Sequence, residues 1–238
     1  MTFLRRLLDG GAEGMKIAQI AGFLGSGKTT LLIDVSRELV QRGHRIAIIV
    51  NDVGEINVDA KFIETYGLKA REISGGCICC QIAGSFANTI AVLHNTFKPD
   101  IVIVEPSGVA IPWGLKRAAE YSEAESDVHI EHAPVITLVD ATRIDLLISA
   151  VKRLVETQIR EADIVLINKV DAANEEQIEK SRKLIRGINE HAEIMLASGR
   201  TGKGLKEVAD VIETRVSPRY DEAVEKELLR KQYGGAGA

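Results

Sequence analysis

An α/β fold with a mainly parallel sheet flanked by helices is predicted by three features of this sequence. Short β-branched runs alternate with helical segments from Met15 onward, the order expected of parallel strands joined by crossover helices. The strand-length runs are continuously apolar rather than alternating, as in strands covered on both faces. The first run also passes straight into a glycine-rich loop that opens a helix. At 238 residues, 45% hydrophobic and 27% charged, the chain can bury one full-sized core, so a single main domain is expected.

The elements follow in order. Residues 1–14, "MTFLRRLLDGGAEG", place Phe3, Leu4, Leu7 and Leu8 on a short amphipathic helix before a Gly-rich hinge. This run is too short for a signal sequence or a membrane span; packing on the domain is the default expectation, and a membrane-surface role the alternative. The main domain, 15–216, has predicted strands at 16–22, 45–50, 100–105, 134–140, 163–168 and 193–198. Its predicted helices are 28–42, 82–95, 111–122, 142–156, 174–189 and 204–215. Residues 217–238 form a tail, read as a charged helix near 220–231 and a disordered "GGAGA" end. The segment from Asn51 to Cys80 breaks the alternation: it is long, punctuated by glycine and weakly periodic, with one short strand at Lys69–Ile73. Long connections inside compact domains usually serve function.

"GFLGSGKT" (Gly22 to Thr29) satisfies G-x-x-x-x-G-K-[ST] in the strand-to-helix setting that the motif requires. Gly22, Gly25 and Gly27 let backbone N–H groups converge on phosphate oxygens, Lys28 reaches the outer phosphates as an exposed loop lysine, and the hydroxyl of Thr29 can ligate Mg²⁺ at the helix N-terminus, with Ser26 and Thr30 in the same stretch. "DIVIVEPSG" closes an apolar strand on Glu105, an acid placed to handle Mg²⁺ or its water. Asp52 and Glu55 in "NDVGEINVD" are placed to act as a switch, with Asp52 a further Mg²⁺ ligand; which of Asp52, Glu55 and Glu105 orients an attacking water stays open.

"NKVD" (Asn168 to Asp171) follows another strand and matches the N-K-x-D pattern. A carboxylate at Asp171 accepts from both the ring N–H and the exocyclic amine of guanine, whereas adenine offers neither donor there. "SGRTGKGL" after the next strand looks like the S-A-x-T-G-x-G-L stretch of many GTPases, whose backbone touches the guanine edge; the likeness implies such a contact at Ser198 and Gly199 and favours GTP and GDP over adenine nucleotides.

All three cysteines, Cys77, Cys79 and Cys80, fall in "CICC". Vicinal pairs make strained disulfides, so reduced thiols and a cytoplasmic protein are expected. Three thiolates suit Zn²⁺, Cu⁺, Ni²⁺ or Co²⁺, and affinity order alone does not name the metal. A fourth ligand would be water, an acid such as Glu55, a histidine, or a group from a second subunit. His129 and His132 in "HIEH" have a spacing that permits joint ligation on a helix, although isolated surface histidines are the commoner reading. The formal charge of −4, with Lys and Arg scattered beside Asp and Glu, leaves no basic footprint for nucleic acid.

Together "GFLGSGKTTLL", "NDVGEINVD", "GGCICC", "EPSGVAIP" and "NKVD" resemble, in order and over residues 16 to about 216, the CobW-type metallochaperone GTPases. These are SIMIBI-class P-loop GTPases, relatives of the urease-accessory protein UreG and the hydrogenase-maturation protein HypB. Few other families join such a loop to a GGCxCC run. The resemblance implies a GTP-hydrolysing domain that binds a transition metal at Cys77, Cys79 and Cys80 and passes it to a client metalloprotein or cofactor-assembly protein under nucleotide control. It carries over phosphate and Mg²⁺ binding to Gly25–Thr30, the Walker B role to Glu105 and base recognition to Asn168, Lys169 and Asp171. CobW proteins commonly add a second C-terminal domain, whereas about twenty residues follow the core here, and the Cys-Pro-His motif of UreG does not occur. Two other functions fit the residues: metal storage with a structural nucleotide, and a thiol redox sensor. A homodimer is expected, with the predicted helical insertion Pro112–His132 as its surface.

Overall fold

The computed structural model of the protein describes residues 14–50, 69–72, 83–125, 128–219, 221–223 and 226. Residues 1–13 of the N-terminal extension, most of the expected tail helix and the glycine-rich end lie outside them.

Among the described residues eight strands form one sheet: β1 (Met15–Gly22), β2 (Ile46–Val50), β3 (Lys69–Glu72), β4 (Ile101–Glu105), β5 (Ile130–His132), β6 (Ile136–Asp140), β7 (Ile164–Asn168) and β8 (Glu193–Leu196). Seven run in the order β3-β2-β4-β1-β6-β7-β8, and every pairing is parallel. The expected strands are all present, with ends shifted by up to two residues. The addition is β5, which pairs with Met15–Ile17 while β6 pairs with Ile20–Gly22, so the two share one edge of β1.

Strand residues alternate between two cores, as a period of two dictates. Ala18, Ile20, Ile48, Ile103, Leu138 and Leu166 face one side, against α1 (Lys28–Gln41) and α6 (Leu205–Thr214). On the other side Ile17, Ile49 and Val104 meet α2 (Ala83–Thr96) and α3 (Pro112–Glu125). Val139, Val165 and Ile167 meet α4 (Ile144–Arg160) and α5 (Glu175–Ile188) on that same side. Burial on both faces explains why these strands read as unbroken apolar runs.

Helix starts differ in a way that bears on the site. At α5, Asn174 and Gln177 form a reciprocal capping box, with Glu175 and Glu176 in the first turn complementing the helix dipole. At α1 the residue before the helix is Gly27, there is no side-chain cap and no acid occupies the first turn. Its first N–H groups are left for another partner.

The region expected as a helical insertion is helical only to Glu125; its end is β5, inside the sheet. The "HIEH" histidines are therefore not stacked on a helix. His129 is exposed and hydrogen-bonded through Nδ1 to Glu123 at 3.1 Å, while His132, 3% exposed, ends β5. Neither the joint-ligand geometry nor a pair of surface histidines is found. No helix among the described residues is long and apolar enough to cross a membrane.

Candidate functional site

In a parallel sheet every strand ends on the same edge, and ligands of such sheets bind there. β1 delivers Gly22–Thr29 to that edge, β4 delivers Glu105, β6 delivers Asp140 and β7 delivers Asn168.

The loop after β1 is shaped by close approach. Gly22 has φ 133°, and a Cβ there would stand 2.4 Å from the Leu138 carbonyl; Gly27 has φ 97°, and its Cβ would stand 2.4 Å from Asn168 Nδ2. Only glycine suits either position. Four successive carbonyls of this loop accept hydrogen bonds from side chains: Phe23 from Lys28 Nζ (3.4 Å), Leu24 from Arg143 Nη2 (2.9 Å), Gly25 from Lys169 Nζ (2.8 Å) and Ser26 from Asn168 Nδ2 (2.8 Å). Apart from the Ser26 N–H, which donates to the Phe23 carbonyl at 3.2 Å, the loop N–H groups can converge as an anion nest above the uncapped start of α1.

Lys28 is buried, not exposed as a loop lysine would be: 6% of it is accessible, and its Nζ lies 3.9 Å from Glu105 Oε1. Thr29 Oγ1 donates to that same oxygen at 3.0 Å. A hydroxyl and a carboxylate meeting at the foot of an anion nest form a hard-oxygen set that fits Mg²⁺. Among the described residues the buried Ser26 Oγ and Asn168 Oδ1 have no hydrogen-bond partner, as expected of groups that await a ligand.

Lys169 takes the left-handed conformation at φ 62°, costly for a residue with a Cβ, and its surroundings hold it. Its Nζ reaches Asp140 Oδ2 at 2.7 Å as well as the Gly25 carbonyl. Asp140 is fully buried and also accepts from the amide and hydroxyl of Thr142 and from Arg143 Nε. Burial alone would raise its pKa, but the hydrogen bonds from Lys169 and Thr142 outweigh burial and hold the carboxyl below its ordinary value. Asp171 is exposed, with Oδ1 held at 2.5 Å by the buried hydroxyl of Ser198; Gly199 abuts Thr30, which would lie 3.0 Å from a Cβ at that glycine.

Of the residues expected at the site, Gly25, Ser26, Gly27, Lys28, Thr29, Thr30, Glu105, Asn168, Lys169, Asp171, Ser198 and Gly199 gather at this one edge. Asp52, Glu55, Cys77, Cys79 and Cys80 lie outside the described residues. Among the described residues no three His, Cys, Asp or Glu side chains are grouped to hold a metal ion. Sequence reasoning missed Asp140 and Arg143, although Asp140 closes an apolar strand just as Glu105 does.

A sheet of this order, with a glycine-rich anion nest between its first strand and an uncapped helix, defines a P-loop nucleotide-binding domain. Within that class the chain belongs to the CobW/HypB/UreG family, whose nucleotide-binding domain matches residues 16–196. It is 32% identical over 182 residues to a zinc chaperone CobW of a Sinorhizobium species, covering 64% of this chain and 50% of that protein. A zinc-regulated GTPase metalloprotein activator 1 of Dictyostelium discoideum is 29% identical over 235 residues, covering 81% of this chain and 47% of that protein. The chain thus spans about half the length of these curated relatives. Among solved structures, the hydrogenase maturation factor HypB of Archaeoglobus fulgidus superimposes with a TM-score of 0.60 at 25% identity, covering 83% of this chain and 88% of that one.

Proposed function

We propose that this GTPase carries a transition metal on Cys77, Cys79 and Cys80 and releases it to a client metalloprotein or cofactor-assembly protein when GTP is hydrolysed. Asn168 and Asp171 read the guanine edge, and the nest of Gly25 to Thr30 holds the phosphates. Thr29 and Glu105, with Asp52, would hold Mg²⁺, which would supply charge neutralisation to the phosphates. Lys28 neutralises the outer phosphates, and Glu105, with Asp52 or Glu55, orients the attacking water. The zinc-related names of the two relatives favour Zn²⁺ as cargo over Co²⁺ or Ni²⁺. Free thiolates suit a reducing, cytoplasmic setting. Three thiolates leave a tetrahedral ion one ligand short, a place that a second copy in a homodimer would fill.

One relationship carries this reading. In the sheet register Glu72 of β3, Val50 of β2 and Glu105 of β4 lie in one row. Two interstrand steps, roughly 10 Å, separate the Glu72 backbone from that of the Walker B acid. Cys77 follows Glu72 by five residues of chain, a reach of at most about 18 Å. Ordering of that stretch by γ-phosphate and Mg²⁺ would gather the thiolates, and hydrolysis would loosen them, as in other nucleotide switches.

Calorimetric titration of Zn²⁺ under reducing conditions, with GDP and then with a non-hydrolysable GTP analogue, tests the reading. Coupling of about 1–3 kcal/mol is expected, and it must be reciprocal between metal and nucleotide. Changing all three cysteines to serine should abolish this metal site and leave GDP affinity nearly unchanged. Equal Zn²⁺ affinity in both nucleotide states would replace the carrier with a storage protein.

A further inference from the structure

Asp140 and Arg143 belong to no motif by which the family is recognised in this sequence, yet they stand directly behind the loop. Asp140 ends β6 opposite Asn168 of β7 in the sheet register, so its carboxylate lies beside the turn that carries Lys169. That carboxylate is wholly inaccessible. A buried charge is tolerated only if cations and hydrogen bonds compensate it closely, and here Lys169 Nζ does so at 2.7 Å and Arg143 Nε at 3.2 Å. Each of these cations has a second contact, and the two contacts fall on consecutive carbonyls, Leu24 and Gly25. A single anion thus sets the reach of two cations from different turns. Those cations in turn fix which way two peptide units of the loop face.

We propose that Asp140 and Arg143 are positioning residues for nucleotide binding: through Lys169 and Arg143 the buried carboxylate holds the Leu24 and Gly25 carbonyls outward and so presets the N–H nest for phosphate. The inference rests on the reading of this loop as the phosphate site. A peptide unit that must rotate before it can donate imposes that cost on every binding event, and holding it in place removes the cost. Arg143 acts through the loop and touches no base, so its influence falls on phosphate-bearing ligands irrespective of the base. Asp140 governs both cations and has the larger influence.

Competition against a fluorescent GDP analogue, with Mg²⁺ present, tests this on the full chain. The wild-type affinity for GDP tests the phosphate-site reading by itself: absence of GDP binding removes that reading and the inference together. Given binding, Arg143→Ala should weaken both GDP and IDP by about tenfold, the loss of one charge-assisted hydrogen bond. The GDP-to-IDP ratio should stay at the wild-type value. Arg143→Lys, able to reach only one of the two partners, should fall between Ala and wild type. Asp140→Asn should weaken GDP more than Arg143→Ala does, and the double variant should lose less than the product of the single losses, because both act on one contact. Arg143 is partly exposed, so its variants keep the melting temperature within a few degrees and stay informative if Asp140→Asn folds poorly. Unchanged GDP affinity in Arg143→Ala, or a changed GDP-to-IDP ratio in that variant, overturns the proposal, as do independent losses in the double variant.

Discussion

Ser198 donates its hydroxyl to Oδ1 of Asp171 at 2.5 Å, and the same hydroxyl accepts from the Thr201 amide at 3.1 Å. An exposed carboxylate on a turn is thereby fixed by a buried hydroxyl from the next loop. Its second oxygen and remaining lone pairs are left to face a ligand. Held in this way, the carboxylate suits two parallel donors such as those of guanine.

Asp171→Asn should move preference from GTP towards XTP, because the amide donates to the xanthine oxygen where the carboxylate accepted from guanine. Competitive hydrolysis measures it. Full retention of GTP preference would remove "NKVD" as the base reader.

Lys28→Ala should lower GTP hydrolysis by roughly 10²–10³, the usual loss for a group that stabilises developing charge. Although Lys28 is buried, the fold should survive, since Thr29 keeps its hydrogen bond to Glu105. Phosphate release and circular dichroism separate the two effects; undiminished turnover would assign the chemistry to other groups.

Gly27→Ala and Gly43→Ala form a matched pair. Both glycines have strongly positive φ, 97° and 93°, so both substitutions carry backbone strain of about 1 kcal/mol or more. Only at Gly27 does the new carbon collide, with the Asn168 amide that holds the Ser26 carbonyl; at Gly43 nothing lies within 4 Å. Denaturant melts should therefore show a larger loss for Gly27→Ala, and only that variant should lose GDP binding.

His132 predicts a pH dependence of stability. Burial, reinforced by the charge of Lys116, pushes its pKa down to about 4, even though the Glu120 carboxylate stands 3.7 Å away. Above pH 6.5 the imidazole is neutral whether the chain is folded or unfolded, and contributes nothing. Between about 6.5 and 4 the unfolded chain takes up a proton that the folded one refuses, so stability falls with pH, by about 2 kcal/mol at pH 5. Urea melts at pH 7 and pH 5 should show this slope in the wild type and its loss in His132→Leu. An equal slope in the variant would place the titration elsewhere.

What the sequence made legible depended on the range of the interaction involved. Buried strands announce themselves locally, and Ile46–Val50 or Ile164–Asn168 need only their own composition. β5 does not: its three residues, Ile130, Glu131 and His132, contain one aliphatic side chain and become a strand because the lower half of β1 has an open edge there. The spacing of His129 and His132 suggested a helix, and a pairing more than a hundred residues away decided otherwise. The same holds for the site. Motif residues with a fixed local spacing were found, whereas the clamp of Asp140 on Lys169 and Arg143 exists only through the register of β6 with β7.

β1 precedes in the chain every strand that pairs with it. One edge is closed by Ile101–Val104, and the other by Ile130–His132 and Ile136–Leu138 together. A ribosome-bound chain that stops short of Ile101 has no partner for the strand leading into the phosphate loop. One that stops short of Leu138 leaves half of an apolar edge bare. Such distant pairings slow folding and prolong the exposure of strand edges to other chains. Nascent chains released between these two points should therefore be the ones most dependent on holdase protection, and pulse proteolysis of stalled intermediates should show the resistant core emerging only once the residues of β6 have cleared the exit tunnel.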